Sequence, residues 1–192
     1  IHIARPKDSH DRLYPISMGR YGPIVAVPRI LETYRRLGIK QSFFVPGWCI
    51  ETYPDTIEAI LTGGHEVGHH GYLHEDPIDA PDQRASFERA LEAHHKYCDG
   101  TPSGYRAPVY NINQEVLDLL VEHGFRYDSS MMADDIPYRL ETSKGQLWEM
   151  PVHWGTDDWP PFAHYSEIGY MMPVAGPSTG LSGFWEEFDA AY

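Results

Sequence analysis

Gly64-His65-Glu66-Val67-Gly68-His69-His70-Gly71-Tyr72-Leu73-His74 decides how this chain folds, because it can be read as a helix or as a strand running into a turn. As a helix, His65-Glu66-Val67-Gly68-His69 matches H-E-x-x-H, in which two histidines one turn apart hold zinc and the glutamate activates water. Only helical i,i+4 spacing brings both rings to one face. Gly63, Gly64, Gly68 and Gly71 flank or interrupt the segment, each costing about 1 kcal/mol relative to alanine in a helix. The extended protease pattern H-E-x-x-H-x-x-G-x-x-H also fails, since Gly71 comes one residue too early. As a strand through Val67, the segment aims a different pair, His70 and His74, from a turn. That pair supplies two positions of a metal site when a carboxylate gives the third and water the fourth.

The flanking sequence favours the strand. Gln41-Ser42-Phe43-Phe44-Val45 is a short apolar run closed by Pro46-Gly47, as expected of a buried strand. Pro28 suits the first turn of a helix reaching Leu37, and Tyr53-Pro54-Asp55 opens another with Ile57, Ile60 and Leu61 on its apolar face. Helices are predicted over 83–97, with Phe87, Ala90, Leu91 and His94 on one side, and over 113–123, stopped by Gly124. Strands are predicted near 104–106, 125–127 and 147–150. Residues 1–23 read as a polar Pro/Gly loop, and 154–183 as a long aromatic connection of the kind that forms lids. Alternating short strands and helices of ten to fifteen residues give an α/β fold with a parallel sheet, flat or closed into a barrel. Chemistry then belongs at the carboxyl ends of strands, where 46–48, 69–74, 106–110 and 157–159 fall.

Composition narrows the function class. The 192 residues carry 15 Lys+Arg against 28 Asp+Glu, a formal charge of -13 that repels nucleic acid and anionic lipid. No apolar run reaches the roughly 20 residues of a membrane span. Cys49 and Cys98 make no disulfide framework, which points to a reduced, cytoplasmic setting. The count that stands out is 11 histidines.

Three segments in order resemble the polysaccharide deacetylases, the NodB homology domain or carbohydrate esterase family 4. Residues 64–74 look like its second motif, G-H-E-[IV]-[GA]-x-H-x-x-x-H. Gly104-Tyr105-Arg106-Ala107-Pro108 resembles its third, G-[FY]-R-x-P, and Phe43-Phe44-Val45-Pro46-Gly47 resembles its T-F-F-V-x-G strand, with Ser42 in place of Thr. The resemblance covers residues 24–160 and favours an imidase, allantoinase-like or peptidoglycan-deacetylase-like branch. It implies a distorted (β/α) barrel and a metal-dependent hydrolase of non-peptide carbon–nitrogen bonds. It also implies a divalent metal, usually zinc, on His70 and His74. Arg106 would orient a catalytic aspartate, the Val109 N–H would serve an oxyanion, and Asp158 or Asp157 would stand near Trp159 in a fourth motif. The F-D-D strand of motif one and the histidine strand of motif five have no counterpart here; Asp8 and Asp11 follow no apolar strand. The expectation is therefore one catalytic domain over 1–192 lacking its first and last strands.

Plainer readings stand beside these. His2, His10, His94, His95 and His123 are expected at the surface or as caps. His65 is expected to be structural, and His69 either supports a ligand or is solvated. His153 and His164 are the only candidates within the chain for an acid that protonates the leaving nitrogen. Trp48, Tyr72, Tyr110 and Trp159 are expected to line the substrate site, with Trp154, Phe162 and Tyr170 near them. These aromatics lean the substrate towards a small amide or cyclic imide over an N-acetylated glycan. A homo-oligomer is compatible with the sequence. A non-catalytic binding module on the same barrel is the rival reading, and the H-E-x-x-H protease a lesser one.

Overall fold

The computed structural model describes residues 13–159 and 176–191. The strands β1 (Ser42–Val45), β2 (Glu66–His69), β3 (Gly104–Tyr105), β4 (Tyr127–Asp128), β5 (Tyr138–Thr142) and β6 (Gly145–Glu149) form one sheet in the order β1-β2-β3-β4-β6-β5. All neighbours are parallel except the edge hairpin β5–β6. The helices are α1 (Leu13–Tyr21), α2 (Val27–Leu37), α3 (Gly47–Thr52), α4 (Pro54–Thr62), α5 (Gln83–Tyr97), α6 (Gln114–Glu122) and α7 (Pro177–Ala191). Strand and helix alternate from β1 to β4, which yields the parallel sheet of an opened, distorted barrel.

The helix reading of 65–69 is overturned: Glu66–His69 is a strand. The predicted helices over 83–97 and 113–123 form where their caps dictate. Asp82 accepts from the Ala85 N–H and Asn113 from the Val116 N–H, satisfying first-turn donors that the helix itself leaves open.

Three expectations are corrected. Residues 13–23 are not a loop but α1 and part of a π-turn, Gly22–Ala26, closed by the Val27 N–H on the Gly22 carbonyl. Pro23 and Pro28 occupy opening positions of successive helical segments, where a missing N–H is tolerated. Strand β4 begins at Tyr127, not Phe125, because the Phe125 N–H still closes α6 on the Leu120 carbonyl at 2.9 Å. The hairpin strand β5 was not foreseen, although Tyr138 and Leu140 alternate with exposed Arg139 and Glu141.

Strand parity sorts the sheet into two faces. One register row runs Val45, His69, Tyr105, Asp128, Glu149 and faces the helices. Around it pack Phe87, Leu91, Val116, Leu119, Leu120, Phe125 and Leu147, while Ile50, Ile57, Ile60, Val67 and Ala93 form a second cluster beneath α3 and α4. The other face carries Phe44, Gly68, Gly104, Tyr127 and Trp148. Glycine is required there twice. A Cβ on Gly68 would meet the Phe44 ring at 2.7 Å, and one on Gly104 would meet the Tyr127 ring at 2.1 Å.

Gly104→Ala is therefore expected to destabilise the fold by about 1–3 kcal/mol, the usual cost of overpacking. Urea unfolding measures it, and adding Tyr127→Leu should recover part of the loss.

Candidate active site

The site residues come one step past the buried row. His69 is fully buried and ends β2; its Nε2–H donates to the Phe87 carbonyl at 3.0 Å, and its Nδ1 accepts from the Gly71 N–H at 3.3 Å. Both nitrogens are used by the neutral ring, and burial together with the nearby His94 pushes its pKa well below the usual histidine range. His69 is thus not solvated. It pins the turn on which His70 leaves the strand.

His70 points to the opposite face by parity. Its Nδ1 lies 2.6 Å from the Arg106 carbonyl; a carbonyl only accepts, so the proton is on Nδ1 and the lone pair on Nε2. His74 stands in the left-handed region, φ 60°, and brings its ring to 4.7 Å from that of His70, edge to face. Glu75 fixes that bend, accepting from the Leu73 N–H at 2.6 Å and from the Ser86 hydroxyl. Asp76 receives Asn111 Nδ2 at 2.7 Å and ties the loop to the end of the next strand unit. A backbone-anchored tautomer and a second imidazole beside it fit two positions of a divalent-metal site. Among the described residues, no set of three or more His, Cys, Asp or Glu completes one.

Arg106 follows β3. Its Nε donates to the Ser129 carbonyl at 2.9 Å and its Nη2 to Ser129 Oγ at 2.6 Å, with the guanidinium over the Phe44 ring at 4.5 Å and near the Tyr110 ring at 5.9 Å. It makes no ion pair among the described residues. Past it, Pro108–Tyr110 forms a single tight turn in which Val109 has φ 53° and Tyr110 φ 59°. A β-branched residue there is an outlier that costs of order 1–3 kcal/mol and marks functional sites. The turn is closed by the Tyr110 and Asn111 N–H groups on Ala107 and Pro108. Neither closing bond uses the Val109 N–H.

Tyr110 and Asp157 are brought together: the hydroxyl donates to Asp157 Oδ2 at 2.9 Å, and Trp154 packs edge to face on Tyr110 at 5.2 Å. Burial, then the bond to Asp157, pushes the Tyr110 phenol up to about 12. Asp157 Oδ1 also accepts from the Trp159 N–H at 2.7 Å, while Asp158 and Trp159 are exposed. Tyr72 and Trp48 have partners of their own. The Tyr72 hydroxyl donates to Glu51 at 2.7 Å beneath Arg89, and the Trp48 ring packs on Tyr53. His153 is exposed, its Nδ1 accepting from the Gly155 N–H at 3.1 Å. His164, Phe162, Tyr170, Asp8 and Asp11 lie outside the described residues.

Two further expectations are settled by burial. His65 is structural, its Nδ1 accepting from the Gln41 N–H at 3.2 Å. His94, expected at the surface or as a cap, is fully buried and stacks on His69 at 5.6 Å, with neither ring nitrogen bonded. Sequence reasoning missed Ser129 as the anchor of Arg106, because nothing in the spacing links residues 23 positions apart. A groove of about 610 Å³ beside Val27, Leu31, Ile39 and Ala59 contains neither His70, His74 nor Arg106. His70, His74 and Arg106 are half-buried and form a shelf at the carboxyl ends of β2 and β3.

An unclosed parallel sheet bearing a histidine pair, an arginine and a strained turn at its carboxyl ends defines an α/β fold of the distorted-barrel class. Residues 21–127 match the family model of polysaccharide deacetylases. A peptidoglycan deacetylase of Helicobacter pylori is 32% identical, over 92% of this chain and 69% of its own length. The crystal structure of a putative polysaccharide deacetylase from Mycobacterium smegmatis superposes with a TM-score of 0.89 at 37% identity, over 94% of this chain and 64% of that one. An allantoinase structure shares the fold, with a TM-score of 0.75 at 22% identity, over 91% of this chain and 57% of that one. The chain belongs to the polysaccharide deacetylase family, whose members hydrolyse carbon–nitrogen bonds. It spans just under two thirds of the mycobacterial structure.

Burial of the second histidine has a measurable consequence. Desolvation, then the charge of His95, lowers His94 to about 4, against about 6.5 in an unfolded chain. As pH falls below that unfolded value, the unfolded state takes up a proton that the native state refuses, so stability is lost until pH approaches 4. At pH 5 the loss through His94 is about 2 kcal/mol. In His94→Leu the fall in unfolding free energy between pH 8 and pH 5 should shrink by about that amount, as read by denaturant titration at both pH values.

Proposed function

We propose that the chain carries the rim of a metal-dependent N-deacetylase that hydrolyses the acetamido group of an N-acetylated glycan. The observation that carries this reading is the His70–His74 pair, set beside Arg106 at the carboxyl ends of β2 and β3, in a member of the deacetylase family. The relative from Helicobacter pylori, described as a peptidoglycan deacetylase, supports a glycan over a small cyclic amide or imide.

His70 and His74 would hold the divalent cation, and imidazole donors suit zinc. When bound, such a cation supplies Lewis acidity towards the amide carbonyl and makes water a nucleophile near neutral pH. The chain's own groups do the rest. The Arg106 carbonyl keeps the His70 proton on Nδ1 and so presents Nε2 as the donor atom. Arg106, fixed by Ser129 through Nε and Nη2, directs its remaining N–H groups at the anionic group that removes the water proton. The Val109 N–H donates to the oxyanion of the tetrahedral intermediate, and the left-handed turn aims it. Asp157 orients Tyr110, and Trp154, packed on that ring, would give an apolar wall for a sugar ring, with Trp159, whose N–H Asp157 also holds, as a further lining residue.

Zinc titration by calorimetry should show His70→Ala and His74→Ala each weakening binding by roughly a hundredfold or more, since even residues that merely support a ligand cost 10- to 100-fold. Acetate release from N-acetylglucosamine oligomers, in protein carrying any further segments it has in nature, should fall in parallel. Retention of zinc by both variants would refute the site, and turnover of cyclic imides but not glycans would move the substrate class. Val109→Gly keeps the N–H and removes the left-handed strain, so it should preserve turnover while raising stability by about 1 kcal/mol.

A further inference from the structure

Beneath the shelf lie two acids that the proposed chemistry does not use. Asp128 and Glu149 end β4 and β6, are partners in register and have no solvent exposure. The Ser130 N–H donates to both, to Asp128 Oδ2 at 3.1 Å and Glu149 Oε1 at 3.0 Å. Ser130 Oγ donates to Asp128 Oδ1 at 2.7 Å, the Met131 N–H reaches Glu149 Oε1 at 3.1 Å, and Glu149 Oε2 has no hydrogen-bond partner. No lysine, arginine or histidine forms an ion pair with either acid among the described residues. In the register row Tyr105 adjoins the pair from β3, and Tyr138 from β5. From α6 come apolar Val116, Leu119 and Leu120, while its acids Asp118 and Glu122 are engaged by Ser143 and by Arg84 and Lys144. Arg106 reaches only as far as Ser129. Two negative charges converging on one N–H without a cation are untenable in a dry core.

We infer that Asp128 and Glu149 share one proton at neutral pH and act as a positioning pair, locking Ser129 and Ser130 so that these place Arg106 and the Ala107 N–H. The linkage is continuous. Ser130 Oγ, while donating to Asp128, accepts from the Ala107 N–H at 2.9 Å, and Ser129 takes the Arg106 guanidinium. Ala107 leads directly into the Pro108–Tyr110 turn. Burial first, and the charge of Glu149 second, raise the Asp128 carboxyl well above its ordinary range, in keeping with a retained proton. The shared proton stands by itself; its value to turnover rests on the deacetylase reading.

Asp128→Asn supplies an amide N–H where the acid would carry its proton, and Asp128→Ala supplies nothing. Wild type at pH 7 should show the infrared band of a protonated buried carboxyl, and Asp128→Asn should lack it; no such band in wild type overturns the shared proton. Above the unfolded carboxylate range, the native wild type keeps a proton that its unfolded chain has released. Its unfolding constant relative to Asp128→Asn should therefore rise about tenfold per pH unit until the pair ionises. Parallel stability curves overturn the idea.

For positioning, hydrogen exchange of Ala107 N–H and Arg106 Nε–H should be slow in wild type and Asp128→Asn and at least tenfold faster in Asp128→Ala, with the α5 core amides unchanged. Equal protection in Asp128→Ala, or no rescue by Asp128→Asn, overturns it. On an N-acetylated oligomer, Asp128→Ala should lower kcat more than it raises KM. If wild type turns over no such substrate, the deacetylase reading fails, while the infrared and exchange results still decide the pair.

Discussion

The strict alternation of side chains along a parallel strand is the constraint on which the rest depends. Because His69, Tyr105, Asp128 and Glu149 are locked into one buried row, the residues after them must emerge on the other face or in the loops beyond. His70 and Arg106 are those next residues, and Ser129 is the next on β4. A slip of one position in β2 would bury the histidine that faces the shelf and expose the one that holds the core. Adjacent histidines thus have opposite jobs for a purely geometric reason.

The row is unusually polar for a core, and its polar groups are aimed at the segments that carry the site. His69 holds the Gly71 N–H, and Ser130, bound by the two acids, holds the Ala107 N–H. Each such bond is worth only about 1 kcal/mol net. Their value lies in direction: the Arg106 carbonyl sets the His70 tautomer, Ser129 holds the Arg106 fork, and Ser130 holds the Ala107 N–H that leads into the left-handed Val109 turn. Preorganisation of this kind is what hydrolysis of an unreactive amide demands, because donors must already point to where charge will develop.

Much of the fold was legible along the chain. Helices α5 and α6 begin at Asp82 and Asn113 because short polar side chains cap the first turn, a purely local effect. Gly64, Gly68 and Gly71 argued against a helix through the histidine cluster, and the strand forms. What was misread had no local signal. The π-turn joining α1 to α2 holds Pro23 and α2 opens with Pro28, two prolines that look like breakers, and His94 resembles any helical histidine until α5 meets the sheet. Nor does any local pattern give the partners of the Tyr72 hydroxyl, Glu51 and Arg89, one of them 21 residues before it and the other 17 after.

Sequence by itself determined the α/β alternation, the family and the identity of the histidine pair, because glycine placement, caps and motif spacing act over a few residues. Tertiary structure alone decided that His70 shares a shelf with Arg106, that Ser129 anchors that arginine, and that Asp128 meets Glu149 out of water. Those are contacts between strands far apart in the chain, created by register and burial, and no local pattern encodes which strand becomes whose neighbour.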